Sequence, residues 1–421
     1  MASTPELDHT PAGKVDSEEA VEDVMKQYEF MKLANGVQPG EKPFIWPEGD
    51  RPDIRHDEYD FKLPIIDLSP VLKLHSLRRE IEQLEGDGDV RNGLEAEIKA
   101  CEAAKSDIAK AIRAACEEYG FFQIFNSGFP NEVVEQFRES CRQIFDLPLE
   151  EKMKIKQTPN PGKPSLPGYT EMKRITALTS MNPSHTWSES FDVESPERMF
   201  PGRVEEIAKI LWPENSTTGQ KLSSSVEEYG KEASKVIYIL LDLIAASLGI
   251  PEEAVDSLLG DRQNKEVSAR IRVNNYPICE RPELTWGLKS HTDPDVITLL
   301  HQDAVGGLQI RFKDGTWHGV QPKAGAFIIN CGNFLQAWTN GRFLSAEHQV
   351  VGNDKTRRMS IAYFALSDMN YIINPRPECV DAEHPVRYKP FTRLEHIKQL
   401  VSLGLARERG KILDKAFGIQ T

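Results

Sequence analysis

Long apolar runs are missing from this chain. The longest, residues 236–248, is broken by Asp242 and is too short to span a bilayer, so it is expected as a buried helix and no membrane partner is expected. A basic excess is missing too: 51 Lys and Arg against 65 Asp and Glu leave a net charge of −14, which argues against nucleic acid or an anionic surface as the main partner. Cysteine is scarce, and none of the six forms a C-x-x-C pair. That is the usage of a reducing compartment rather than of a disulfide scaffold. The start, Met1-Ala-Ser-Thr-Pro-Glu-Leu-Asp8, has neither the basic residues nor the apolar stretch of a signal peptide, and the expected location is cytoplasmic. Internal repeats are absent as well.

What remains is ordinary globular chemistry, with 39% hydrophobic and 28% charged residues in 421. Residues 1–17 are polar and acidic, and expected to be disordered; the prolines of Pro43-Phe-Ile-Trp-Pro47 suit an extended arm. Leu63-Pro-Ile-Ile-Asp-Leu68 reads as a short buried strand. Residues 72–104 are strongly charged around a turn at Glu85-Gly-Asp-Gly-Asp89, the pattern of a solvated helical hairpin. A helix is expected to start at the cap residues Ser106-Asp107 and to align Ile108, Ile112, Cys116 and Tyr119. Residues 131–156 read as an amphipathic helical region, and 223–260 as a long and a short helix joined near Gly249 and Pro251.

Beyond residue 266 the pattern changes to short β-forming runs at 267–276, 296–301, 308–312, 317–321, 326–331, 349–351 and 359–366, with Asp314-Gly315 as a hairpin signal. Many short strands separated by turn residues point to a barrel or double-sheet jelly roll. The expected organisation is a tail and arm at 1–60 and one catalytic domain at 61–421. That domain divides into a helical layer at 61–265, a β core at about 266–370 and C-terminal helices at 371–421.

His291-Thr292-Asp293 leads the chemistry. On an extended segment, residues two apart project from one face, so an imidazole and a carboxylate converge. One more donor completes a facial triad that leaves positions open on a non-haem iron. His348, in Ser345-Ala-Glu-His-Gln-Val-Val351, supplies the candidate. Ten residues on, Arg358 and Ser360 alternate on an expected strand; the planar guanidinium suits a carboxylate, and the serine adds a hydroxyl.

With these residues in view, the segment from Leu63 to about Phe391 resembles the plant-type iron- and 2-oxoglutarate-dependent dioxygenases, a group that includes gibberellin oxidases, flavanone 3-hydroxylase and anthocyanidin synthase. Tyr119-Gly-Phe-Phe122, Phe145-Asp-Leu-Pro-Leu-Glu-Glu-Lys152, Asn274-Asn-Tyr-Pro277, Leu300-His-Gln-Asp-Ala-Val-Gly-Gly-Leu-Gln309 and Thr339-Asn-Gly-Arg342 carry the resemblance besides the triad. It implies a mainly β fold with α, a distorted double-stranded β-helix (jelly roll) core with supporting N-terminal and C-terminal helices. It also implies that His291, Asp293 and His348 bind Fe(II), that Arg358 and Ser360 hold the distal carboxylate of 2-oxoglutarate, and that Asn274 and Tyr276 contact the same co-substrate. Ascorbate is the implied reductant and a monomer the implied state. Three departures stand out: Asn275 where the family has tyrosine, Asn126-Ser-Gly128 where Asn-His-Gly is common, and Asn333 where aspartate is usual.

The implied reaction consumes O2 and 2-oxoglutarate, releases succinate and carbon dioxide, and hydroxylates or desaturates a small organic molecule. Family pocket positions map to Tyr169, Arg272 and Phe364. Arg272 suits a substrate carboxylate or equally a structural ion pair; Phe364 and Trp187 suit a pocket wall or packing; Phe191, His301 and His318 read as structural. Pro43-Phe-Ile-Trp-Pro47 and Leu300-His-Gln-Asp303 look most like gibberellin oxidases, which favours a diterpenoid acid over a flavonoid. Two alternatives stay open: an iron oxidase of this fold that does not consume 2-oxoglutarate, and a silent binding protein that keeps the fold.

Overall fold

The computed structural model describes residues 51–52, 55–84, 88–158, 166–172, 186–195, 200–213, 216–259, 267–402 and 412–419. The expected tail and the proline-flanked arm lie outside them. Strand β1 (Ile65–Asp67) leads into helices α1 (Ser69–Gln83) and α2 (Gly88–Glu118). These two pack along a small apolar seam of Leu74, Leu77, Leu94 and Cys101, so the charged stretch is a helical hairpin as expected.

The expected helix start at Ser106-Asp107 is corrected: α2 begins at Gly88 and runs for 31 residues through that point, with Ser106 and Asp107 exposed on its surface. Cap residues stop a helix only where packing does not continue it, and Leu94, Ile98 and Cys101 carry the apolar stripe one side earlier against α1.

Strand β2 (Phe121–Phe125) is followed by α3 (Asn131–Phe145), α4 (Leu149–Met153), β3 (Gly168–Thr170), β4 (Glu189–Ser195), α5 (Arg203–Leu211), α6 (Thr217–Leu248) and α7 (Glu252–Leu259). Helix α6 starts at Ser216, whose hydroxyl accepts from Gly219 N at 3.3 Å, and stops at Gly249 in a left-handed conformation (φ 69°). Then come β5 (Ala269–Tyr276), β6 (Trp286–His291), β7 (Ile297–Gln302), β8 (Leu308–Arg311), β9 (Trp317–Gly319), β10 (Phe327–Cys331), α8 (Asn333–Trp338), β11 (His348–Val351) and β12 (Arg358–Ala365). The chain closes with β13 (Ile372–Ile373), β14 (Phe391–Thr392), α9 (Arg393–Ser402) and α10 (Ile412–Phe417).

Among the described residues the large sheet has the order β1-β2-β10-β7-β12-β5-β4-β3, and a second sheet the order β6-β11-β8-β9. Four strands of the large sheet, β1 to β4, come from the region expected to be a helical layer. Residues directly opposite in register share a face. Ser360 therefore lies beside Asn274 and Gln302, Phe364 beside Arg270 and Thr298, and Asn330 beside Thr298. Phe121, Tyr276 and Ile328 of this face meet Leu308, Ile310 and Val350 of the second sheet, so it faces the interior of the jelly roll. The opposite face (Phe122, Ile124, Ile271, Val273, Leu299, Ile361 and Tyr363) joins the main core with α3 and α6. The fold is the expected jelly roll with helices on one side.

His396 of α9 is fully buried among Phe334, Phe391 and Phe417, and neither ring nitrogen has a hydrogen-bond partner among the described residues. Burial lowers it to about 4, and burial followed by the Arg138 charge lowers His301 to about 4 as well. Unfolded, each imidazole takes up a proton near pH 6.5, so below that pH the unfolded chain binds protons the folded one does not. Stability from these two residues is intact above about pH 6.5 and is lost as pH falls towards about 4. His396→Phe removes two orphaned polar atoms and should stabilise the fold by about 1–3 kcal/mol. It should also flatten the acid limb of a melting-temperature profile. An unchanged profile would show that the imidazole is satisfied.

Candidate metal centre

His291 closes β6, His348 opens β11, and the two are directly paired across that ladder. Asp293 follows two residues beyond the end of β6, so its convergence with His291 comes from the turn and not from strand alternation. One Asp293 oxygen, Oδ1, stands 3.6 Å from His291 Nε2 and 3.6 Å from His348 Nε2. One donor atom from each of the three residues lies within 4.8 Å of the others, the one such cluster among the described residues.

The surroundings prepare these atoms. His291 Nδ1 sits 2.9 Å from Lys289 O, and His348 Nδ1 3.3 Å from Ala346 O. A carbonyl can only accept, so each Nδ1 carries a proton and Nε2 is the nitrogen left to face a metal. Asp293 Oδ2 accepts from Thr298 Oγ1 at 2.7 Å and Asn330 Nδ2 at 2.8 Å, which leaves Oδ1 for the centre. Burial alone would push Asp293 up, but the two imidazoles and these hydrogen bonds hold it below the usual carboxylate range.

Thr298 Oγ1 also stands 2.8 Å from Asp295 Oδ2. One hydroxyl proton cannot serve both carboxylates. Burial and the Asp293 charge push Asp295 well above the usual range, the direction that favours a second proton in this chain of three oxygens. Two imidazole lone pairs and one carboxylate oxygen suit a ferrous ion with open positions, so the donor set fits Fe(II).

Further along the interior face, Arg358 is 1% exposed. Its Nε donates to Gly306 O at 2.6 Å, its Nη2 to Gln302 Oε1 at 3.0 Å and its Nη1 to Ser360 Oγ at 3.3 Å, and the Tyr276 ring lies 4.7 Å away. All of these partners are neutral; among the described residues no carboxylate pairs with this cation. A buried charge without a counter-ion is costly, and a ligand carboxylate resolves it. The donor set therefore fits 2-oxoglutarate too.

The motif at 300–309 builds this cradle. Asp303 accepts from Met359 N and Val305 N, and the turn aims the Gly306 carbonyl at Arg358. Gly306 and Gly307 have φ of 87° and 92°, and a Cβ on Gly306 would come 2.0 Å from the Tyr59 hydroxyl.

The remaining expected residues divide by face. Asn274, Tyr276, Arg272 and Phe364 lie on the interior face with Arg358 and Ser360. Arg272 binds Asp192 through Nε (2.9 Å) and Nη2 (3.3 Å) and keeps 37% of its side chain exposed.

Tyr169 is corrected. It pairs with Phe191, whose partner Val273 belongs to the helix-side face, and its hydroxyl donates to Glu189 Oε2 at 2.5 Å. It is 1% exposed and belongs to a buried network with Lys152, Glu189 and Asn275. Asn275 itself accepts from Arg357 Nε at 2.5 Å, which accounts for an amide where the family has tyrosine. Trp187 is buried with its Nε1 on Pro277 O, Phe191 packs in the core, His301 meets Arg138, and His318 meets Asp60. Sequence reasoning missed Thr298, Asn330 and Gln302. Asn330 carried a signal, a polar residue inside the otherwise apolar strand β10.

Comparison with known proteins agrees with this geometry. Residues 268–367 match the 2OG-Fe(II) oxygenase superfamily, and residues 95–215 match the family described as non-haem dioxygenase in morphine synthesis N-terminal. Jasmonate-induced oxygenase 4 of Arabidopsis thaliana is 34% identical over 70% of this chain and 78% of its own length. A naringenin,2-oxoglutarate 3-dioxygenase of Matthiola incana is 30% identical over 88% and 90%. The crystal structure of JOX2 in complex with 2OG, Fe and JA superposes with a TM-score of 0.67 at 25% identity, covering 93% of this chain and 97% of that one. Two imidazoles tied to backbone carbonyls through Nδ1, one oriented carboxylate, a buried arginine with only neutral partners among the described residues and these relatives place the chain in the plant-type branch of the 2OG-Fe(II) oxygenase superfamily, as a 2-oxoglutarate-dependent dioxygenase.

Proposed function

We propose that His291, Asp293 and His348 hold the ferrous ion and that Arg358 and Ser360, with Tyr276 and Asn274, hold 2-oxoglutarate. The observation that carries the reading is Arg358, a buried cation whose partners among the described residues are all neutral, on the same sheet face as Thr298 and Asn330, which hold Asp293. Iron and the keto acid supply oxygen activation for hydroxylating or desaturating an unactivated C–H bond. The chain's own residues do the rest. Lys289 and Ala346 carbonyls fix the imidazole tautomers, Thr298 and Asn330 turn one Asp293 oxygen inward, and Arg358 orients the co-substrate by its distal end.

The organic substrate we propose is a small organic metabolite, with a gibberellin-like diterpenoid acid as first candidate and a flavonoid as second. Arg272 supports an acid: it faces the interior, is partly exposed, and its Nη1 makes no hydrogen bond among the described residues. Phe364 on the same face offers an apolar wall. Ascorbate is the proposed reductant, and a cytoplasmic monomer the proposed state; six free thiols support a reducing compartment.

The test is a screen of diterpenoid acids and flavanones with Fe(II), ascorbate and 2-oxoglutarate, read by mass spectrometry. Succinate and carbon dioxide should form one for one with product. Product formed without 2-oxoglutarate would move the chain to the oxidases that do not consume it.

A further inference from the structure

Gln302 is the strongest polar feature that the assignments above leave unused. It closes β7, pairs in register with Ser360 of β12, and so shares the interior face with Arg358 and Ser360. Its Oε1 accepts from Arg358 Nη2 at 3.0 Å. A guanidinium carries only donors, so this contact fixes which way the amide points. The oxygen must face Arg358, and the NH2 group must face away from it. That Nε2 is buried and has no hydrogen-bond partner among the described residues. Two N–H donors therefore stand desolvated and unsatisfied next to a cation that also lacks an anion, a combination that costs stability in the empty protein.

One carboxylate resolves both deficits, since its oxygens can accept from the guanidinium and the amide together. We propose that Gln302 is a direct donor to the distal carboxylate of 2-oxoglutarate and sets the preference for a keto acid that ends in a carboxylate. The inference rests on the co-substrate reading of Arg358. Gln302 thus has two tasks: its oxygen holds the Arg358 fork in plane, and its nitrogen binds the ligand.

The experiment measures binding without turnover, by calorimetry on protein loaded with redox-silent Mn(II). The two ligands are 2-oxoglutarate and 2-oxopentanoate, which has the same chain length but no distal carboxylate. Gln302→Met should weaken 2-oxoglutarate binding by about tenfold or more and change 2-oxopentanoate binding by less than about twofold. Gln302→Glu places a carboxylate against Arg358 and occupies it from within. Its 2-oxoglutarate affinity should fall further still, while the ligand-free melting temperature holds or rises.

Wild-type 2-oxoglutarate affinity in Gln302→Met would overturn the proposal, as would an equal loss for both keto acids. Arg358→Ala in the same assay separates the two levels. If it weakens 2-oxoglutarate and Gln302→Met does not, the Gln302 inference fails alone. If neither variant weakens it, the co-substrate reading fails with it.

Discussion

Asp293→Asn is expected to fold like the wild type and to show turnover at background. The reason lies in the hydrogen bonds on the far side of the carboxylate. Thr298 Oγ1 and Asn330 Nδ2 both present protons to the Oδ2 position, so in the variant the amide oxygen must take that position. The NH2 group is then forced to where Oδ1 now stands, 3.6 Å from both imidazole Nε2 atoms. An amide nitrogen has no lone pair to give a metal and brings its protons towards it.

The substitution is nearly isosteric and keeps both buried hydrogen bonds, so its cost in stability should stay within about 1 kcal/mol. Asp293→Ala also removes the ligand, leaves Asn330 Nδ2 without its carboxylate partner and keeps for Thr298 only Asp295, and should cost about 1–3 kcal/mol more. Iron content by elemental analysis, Mn(II) affinity and product formation are the measurements. Full iron loading with wild-type turnover in Asp293→Asn would rule out the triad. His291→Ala and His348→Ala should lose metal and activity alike.

Arg358→Ala should raise the Michaelis constant for 2-oxoglutarate well over tenfold. Truncating one partner of a buried charge pair commonly costs about 2–5 kcal/mol, because the other charge is left without its partner. Arg358→Lys keeps the charge but loses the planar fork that now reaches Gly306 O, Gln302 Oε1 and Ser360 Oγ together, and should fall between alanine and wild type. The constant for the organic substrate should move far less.

The ligand-free protein should respond in the opposite sense. Arg358 has no carboxylate partner among the described residues, so Arg358→Met removes a buried unpaired cation without creating a buried unpaired anion. Its melting temperature without ligand should equal or exceed that of the wild type, while the stabilisation that saturating 2-oxoglutarate gives the wild type should disappear. If both Michaelis constants rose together, the arginine would be binding the organic substrate and the co-substrate assignment would be wrong.

The jelly roll and its chemistry were legible in the chain because both are written in local patterns. Period-2 alternation placed Arg358, Ser360 and Phe364 on one strand face, and the ladder with β5 and β7 confirms it. Asp314-Gly315 marked the β8–β9 turn, where Gly315 has a φ of 89°. The ordered set of His291, Asp293, His348 and Arg358 was specific because four residues of three types with complementary chemistry fall in one β half. Local patterns also misled. Ser106-Asp107 has the composition of a cap but lies in the middle of α2, since the seam with α1 decides where that helix begins.

Which face a residue takes relative to a distant strand was not local information. Tyr169 and Arg272 were read alike from the sequence. The register of β3, β4 and β5 sends Tyr169 to Glu189 on the helix side and Arg272 to Asp192 on the interior side. A shift of one residue reverses such an outcome, and no property of either side chain announces it.

The same holds for the supports of the metal centre. Thr298 reaches Asp293 from five residues away, Asn330 from 37, and Gln302 reaches Arg358 from 56. The sequence by itself named the candidate donor residues, because ligand chemistry is a property of residue type. Only the tertiary structure decided which oxygen of Asp293 faces the centre, that Arg358 is a buried cation with only neutral partners among the described residues, and that the Gln302 amide turns its oxygen towards Arg358 and its NH2 group away. Each depends on hydrogen bonds between strands that pair across long stretches of chain.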